Sequence, residues 1–150
     1  MEIAERIRAK AAEQRDRTAE LLAKLVQTKS YSSQEEDVCR LIVALCEDAG
    51  FDEVRIDGLG SVIARVGHGP KKLVFDAHID TVEVGNLQNW LTDPFSGEIR
   101  DGLVHGRGAS DQKGGAAAMI TAGRILKELD YAGEYSCFFT FTVMEEDCDG

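Results

Sequence analysis

The apolar positions of the first fifty residues repeat at helical spacing. Ile3, Ile7, Ala11, Leu21, Leu22 and Leu25 share one stripe among charged residues, which predicts an amphipathic helix over residues 3–26. A hydroxyl-rich run, residues 28–33, interrupts it. Ser32 or Ser33 can cap a second helix, with Glu35 and Glu36 in its first turn, Val38, Leu41, Ile42 and Leu45 on its inner face, and Gly50 as its stop. The period then drops to two. Strands are predicted over 54–56, 61–66 and 71–79, separated by glycine turns at 57–60 and 67–70. The third strand starts as the apolar run Leu73-Val74-Phe75 and ends in His78-Ile79-Asp80, the pattern of a buried central strand that delivers polar groups to a sheet edge. Residues 81–97 carry few regular signals, and a long ordered loop of that kind is usually functional. A hairpin at 98–100 and 103–105 turns on Asp101-Gly102. A glycine-rich stretch, a helix over 116–129 packed through Ala116, Ala117, Ala118 and Ala122, and a strand over 135–143 complete the chain. The alternation is that of an α/β fold.

Composition removes several classes of partner. Seventeen basic against 27 acidic residues give a formal charge of −10, which argues against nucleic acid and anionic membranes, since both need a basic patch. The length of 150 residues suits one domain. The four cysteines form no C-x-x-C pair, so neither a zinc knuckle nor a thioredoxin-like motif is present, and Cys39, Cys46 and Cys148 are expected as small buried hydrophobes. The amino-terminal residues alternate in charge without an apolar core, so no signal peptide is expected. No apolar run approaches spanning length, and a cytoplasmic location is the default expectation.

Two predicted strands end in residues that bind cations. His78 and Asp80 leave the first on one face, and Glu145 and Glu146 follow the second. Asp111 lies between them, in a glycine-rich turn opening a helix. Each residue alone has a duller reading: a structural histidine, a turn cap at Asp80, an N-cap at Asp111, an exposed acidic turn at 145–147. Their joint occurrence at strand ends favours a divalent metal, zinc or manganese, in the crevice where strand carboxyl ends open. His68, in a Gly/Pro turn, is expected at the surface, and His105 in a structural role. The rival, a phosphate cradle at 106–115, fails in detail. Asp111 stands where a dinucleotide fingerprint wants glycine, and Gln-Lys-Gly-Gly is not the Gly-Lys-Ser/Thr of a P-loop.

Taken in order, His-Ile-Asp-Thr-Val, Trp90, Asp93-Pro94-Phe95, Asp101-Gly102, Gly-Arg-Gly-Ala-Ser-Asp-Gln-Lys-Gly-Gly and Met-Glu-Glu-Asp resemble the M20 metallopeptidase family. That family includes acetylornithine deacetylase, succinyl-diaminopimelate desuccinylase, aminoacylase and carboxypeptidase G. The motif variants most resemble its selenium-metabolism-linked hydrolase branch. The resemblance implies a three-layer zinc-peptidase-like domain, a central mixed sheet flanked by helices, incomplete at its carboxyl-terminal end. Residues 1–150 would be the amino-terminal part of the metal-binding catalytic domain, with the lid and dimerisation domain absent. It implies two divalent ions, zinc first and manganese or cobalt as alternatives. His78 would bind one ion, Asp111 would bridge both across a cis Asp111–Gln112 peptide, and Glu146 would bind the second. Asp80 would hold the His78 ring, and Glu145 would be the general base. The implied reaction is hydrolysis of an amide or peptide-like bond in a small N-acyl amino acid or peptide, in an enzyme whose full-length relatives are homodimers. The family's later carboxylate and histidine ligands are not in this sequence. Glu98, Asp147 and Asp149 are the substitutes at hand, and the segment alone is expected to bind metal weakly and not to turn over. The alternative reading is a non-catalytic fragment or metal-binding module.

Overall fold

The computed structural model describes residues 2–148. Three helices come first: α1 (Ile3–Glu13), α2 (Arg15–Gln27) and α3 (Glu36–Asp48). The single helix expected over 3–26 is therefore two, parted at Gln14. The apolar stripe has a gap there, since no large apolar residue stands between Ala11 and Leu21. Packing secures only the second half, where α2 buries Leu21, Ala23, Leu25 and Val26. Glu35, not a serine, precedes α3. Ser33 takes a left-handed φ of 65°, and the Ser32 hydroxyl is engaged elsewhere. Gly50, at φ 80°, ends the helix as its type predicts.

Strands β1 (Glu53–Ile56), β2 (Val62–Val66) and β3 (Lys71–His78), the hairpin β4 (Glu98–Arg100) and β5 (Leu103–His105), helix α4 (Gly114–Glu128) and strand β6 (Tyr135–Thr142) complete the order. The main sheet is mixed and runs β1-β2-β6-β3. β2 pairs antiparallel with β1 and β6, while β3 and β6 are parallel and joined through α4. β6 is thus interior and β3 lies at an edge, against the expectation of a central β3. Leu73, Val74 and Phe75 are 42%, 59% and 41% exposed. An apolar run reports that both faces suit burial, but not which strand arrives to pair with it. Burial begins only at Ala77 and continues through Thr81.

The helices meet the sheet in one continuous core. Val62, Ala64 and Val66 of β2 and Phe139 and Phe141 of β6 pack with Ile42 and Cys46 of α3 and Ala116, Ala117 and Ile120 of α4. Ala118 and Ala122 are exposed, so the close approach of α4 rests on other residues. Gly123 is the decisive one: a Cβ there would stand 2.0 Å from Phe51 Cζ. Its absence lets the Phe51 ring meet Phe139 edge-to-face at 5.2 Å. Cys39, Cys46 and Cys137 are buried, and burial pushes the Cys46 thiol up to about 12. Cys148 is exposed, a correction to its expected burial: it follows the strand end in a surface turn. Among the described residues no helix is long and apolar enough to cross a membrane.

The topology sets where chemistry can gather. Parallel pairing places His78 opposite Thr142, so Asp80 and the Glu145-Glu146 pair leave the sheet at one end. α4 also starts at that end, which brings Asp111 there.

Candidate metal centre

His78 closes β3 almost fully buried, and three carboxylates surround its ring. Nδ1 donates to the Asp80 backbone carbonyl at 3.1 Å, with the Asp80 carboxylate at 3.3 Å. Nε2 lies 3.0 Å from Asp111 Oδ1 and 3.7 Å from Glu145 Oε2. Burial opposes the charged ring, but Asp111, Asp80 and Glu145 outweigh it and hold the His78 pKa above its ordinary value. A metal at Nε2 would therefore compete with a proton that these carboxylates favour. Ligand atoms of His78, Asp111 and Glu146 lie within 4.8 Å of one another. A tetrahedral zinc with bonds of about 2.1 Å needs ligand atoms roughly 3.4 Å apart, so small side-chain rotations close the set. One imidazole nitrogen and two carboxylates are a donor set that fits zinc or manganese. Asp111 and Glu145 are largely exposed, open to solvent.

Asp111 sits in a bent turn, Ala109–Lys113, whose Asp111–Gln112 peptide is cis. Gly108 enters the turn at φ 78°, and a Cβ there would strike Thr81 Cγ2 at 2.6 Å. The far side is anchored by Lys113, which is fully buried. Its Nζ donates to the carbonyls of Leu25 at 2.9 Å and Thr28 at 2.8 Å, at the end of α2. Burial pushes the Lys113 ammonium down to about 8, against the pull of Asp80. The ammonium also meets the negative end of the α2 dipole there.

Asp80 is wholly buried, and its carboxylate works mainly on backbone. Oδ1 accepts the Glu145 amide at 3.1 Å, and Oδ2 accepts the Glu146 amide at 3.1 Å and the Ser32 hydroxyl at 2.7 Å. Glu35 Oε1 accepts the Met144 amide at 3.0 Å. Sequence reasoning missed Ser32, Glu35 and Lys113. The first two carry the signals of a helix start, and a glycine-rich turn gives no sign that its lysine points inward.

The other sequence candidates lie apart. His68 is exposed, against Arg65 and near Asp52. His105 is half-buried in β5 opposite Glu98, outside the cluster. Glu98 contacts Arg100, Asp147 is exposed, and Asp149 lies outside the described residues. In the loop after β3, Trp90 Nε1 donates to the Val84 carbonyl and the ring lies under the Arg107 guanidinium at 5.2 Å.

Comparison with known proteins gives the arrangement a lineage. The Escherichia coli (strain K12) protein YgeY, itself uncharacterized, is 48% identical over 129 residues, covering 86% of this chain and 32% of YgeY. A succinyl-diaminopimelate desuccinylase from Wolbachia sp. subsp. Brugia malayi (strain TRS) is 41% identical over 109 residues, covering 69% of this chain and 27% of the relative. The chain thus spans about a third of the length of the curated relatives it matches. Human carnosine dipeptidase 1 superposes with a TM-score of 0.87 at 21% identity, covering 99% of this chain and 36% of the dipeptidase, which shows a shared fold. The model of peptidase family M20/M25/M40 matches residues 74–150, the stretch from β3 through Asp111 to the Glu145-Glu146 turn, and the chain belongs to that family.

Proposed function

We propose that this chain carries the metal-binding and proton-transfer groups of a hydrolase that cleaves an amide or peptide-like bond in a small N-acyl amino acid or peptide. The observation that carries the reading is the meeting of His78, Asp111 and Glu146 within 4.8 Å, with the Glu145 carboxylate beside them. His78 Nε2, Asp111 and Glu146 would hold the metal, and the two oxygens of Asp111 suit a bridge between two ions. Zinc is the first choice, manganese or cobalt the alternatives. Bound ions would supply a water of lowered pKa and polarise the scissile carbonyl. Glu145 is exposed on the open side of the cluster, where its carboxylate can take a proton from water as the C–O bond forms and return it to the leaving nitrogen as the C–N bond breaks. Asp80 orients both partners, through the His78 ring and through the amides of Glu145 and Glu146.

In this reading the 150 residues are the first part of a longer catalytic unit, which in its complete form is a homodimer. The formal charge of −10 argues against nucleic acid and anionic membranes as partners. The thiols among the described residues are unpaired, which suits the reducing cytoplasm. The span of a third of its relatives favours a second reading for the segment alone, metal binding without turnover. Calorimetric titration with zinc and manganese, beside an assay of amine release from N-acetyl and N-succinyl amino acids and dipeptides, separates the two. Binding that Asp111→Ala abolishes supports the metal site, and amine release extends the hydrolase reading to the segment itself. Zinc binding that persists unchanged in Asp111→Ala refutes the site.

A further inference from the structure

The turn after β6 has an unusual way of satisfying its backbone. β6 ends at Thr142, and four successive amides then donate to side chains from other elements. Val143 N–H reaches Ser61 Oγ at 3.4 Å, Met144 N–H reaches Glu35 Oε1 at 3.0 Å, and the amides of Glu145 and Glu146 reach the two oxygens of Asp80 at 3.1 Å each. Met144 takes a left-handed φ of 58°, a conformation that costs energy in a residue with a side chain and so needs holding in place. Among the described residues neither the Glu145 nor the Glu146 side chain makes a hydrogen bond that could aim it. Where both side chains start is set by the backbone they leave from, and the Glu145 carboxylate then reaches to 3.7 Å from His78 Nε2.

Glu35 is the least expected of these acceptors. A glutamate at the start of a helix ordinarily lies in solvent and favours the positive end of the dipole. This one is 6% exposed and bonds a strand end 109 residues away. Of the three residues that accept these amides it is the one that adjoins α3, since Ser61 precedes β2 and Asp80 follows β3. We propose that Glu35 is a positioning residue of the metal centre: by holding the Met144 amide it fixes the turn from which Glu145 and Glu146 project. The proposal rests on the metal-site reading of Glu146 and Glu145, and one arm of its test is independent of that reading.

The experiment compares wild type, Glu35→Ala, Glu35→Gln and Glu35→Asp in the whole chain. Glutamine keeps an acceptor at Oε1, while aspartate keeps the charge but falls a methylene short. The first arm is amide hydrogen exchange of Met144, Glu145 and Glu146 by NMR in metal-free buffer. The second is calorimetric titration with zinc chloride. Far-UV circular dichroism confirms the fold. Glu35→Ala and Glu35→Asp are expected to lose protection at Met144 and to weaken zinc binding about 10- to 100-fold, the usual cost of removing a group that supports a ligand. Glu35→Gln restores both to within about threefold of wild type. Unchanged protection at Met144, or wild-type zinc affinity alongside nothing more than a lower melting temperature, overturns the proposal. Should Glu35→Ala fail to fold, the aspartate and glutamine variants decide it. Wild type that binds no zinc overturns the metal-site reading, and the positioning role with it, while the exchange arm still reports whether Glu35 holds the turn.

Discussion

Removing the Asp80 carboxylate tests whether this buried acid organises the site or only accompanies it. Asp80 has no exposed surface and accepts three hydrogen bonds, from Ser32, Glu145 and Glu146, with the His78 ring alongside. A hydrogen bond to a charged group contributes about 1.5–3 kcal/mol. The three share one carboxylate and do not add, and removing the charge also relieves its desolvation. Asp80→Ala is therefore expected to cost about 3–5 kcal/mol in metal-free protein, near the usual loss when one partner of a buried charged network is deleted. Asp80→Asn keeps the size and one acceptor oxygen but turns an NH2 group toward one of the two amides, so about 2 kcal/mol is expected. Urea unfolding in the presence of a chelator measures both. Asp111→Ala is the control, because its side chain is 77% exposed: losing its one hydrogen bond, to His78, should cost about 1 kcal/mol of metal-free stability, well short of Asp80→Ala, yet abolish zinc binding. An Asp80→Ala variant within about 1 kcal/mol of wild type would refute the reasoning. So would an Asp111→Ala variant as unstable as Asp80→Ala.

The pH dependence should run in opposite directions with and without metal. His78 has a folded pKa above its ordinary 6.5, so its pairing with Asp111 and Glu145 stabilises the metal-free chain fully below pH about 6.5 and is lost as pH rises through the raised value. Zinc must displace the Nε2 proton, so calorimetry should show affinity falling about tenfold per pH unit below that value, and a flat profile would contradict it. Gly123→Ala sets about 1 kcal/mol of helix propensity against a methyl 2.0 Å from Phe51 Cζ; overpacking of about 1–3 kcal/mol should prevail and lower the melting temperature. Val74, 59% exposed on β3, belongs to an edge open among the described residues. The isolated chain should self-associate in sedimentation velocity, and Val74→Lys should shift it toward monomer without loss of stability.

What the sequence showed and what it hid divide along one physical line. The hairpin at 98–105 and the extents of β2, β6 and α4 follow from local periodicity and turn chemistry, and the structure has the hairpin as read and the other three with ends shifted by one or two residues. The edge position of β3 does not follow, because its neighbour β6 arrives about sixty residues later and no local pattern reports which strand comes to pair. The break at Gln14 was visible only as a gap in the apolar stripe, which a rule that counts matches passes over.

The site divides in the same way. His78, Asp111, Glu145 and Glu146 betray themselves by type, since imidazole and carboxylates at the ends of apolar strands need a reason to be there. The groups that aim them are cryptic, because the same residue types have cheap local roles. Ser32 and Glu35 read as the grammar of a helix start, Asp80 as a partner for the ring two residues before it, and Lys113 carries no signal of its own in a glycine-rich turn. Each serves a distant element, Asp80 in addition to the His78 ring: Ser32 and Asp80 meet across 48 residues, Lys113 and Leu25 across 88, Glu35 and Met144 across 109. Candidate ligands are thus a property of where elements end, and their aim is a property of how the ends meet. Substitutions at the ligands should therefore remove binding and leave the fold, whereas substitutions at Asp80, Glu35 and Lys113 should move both together.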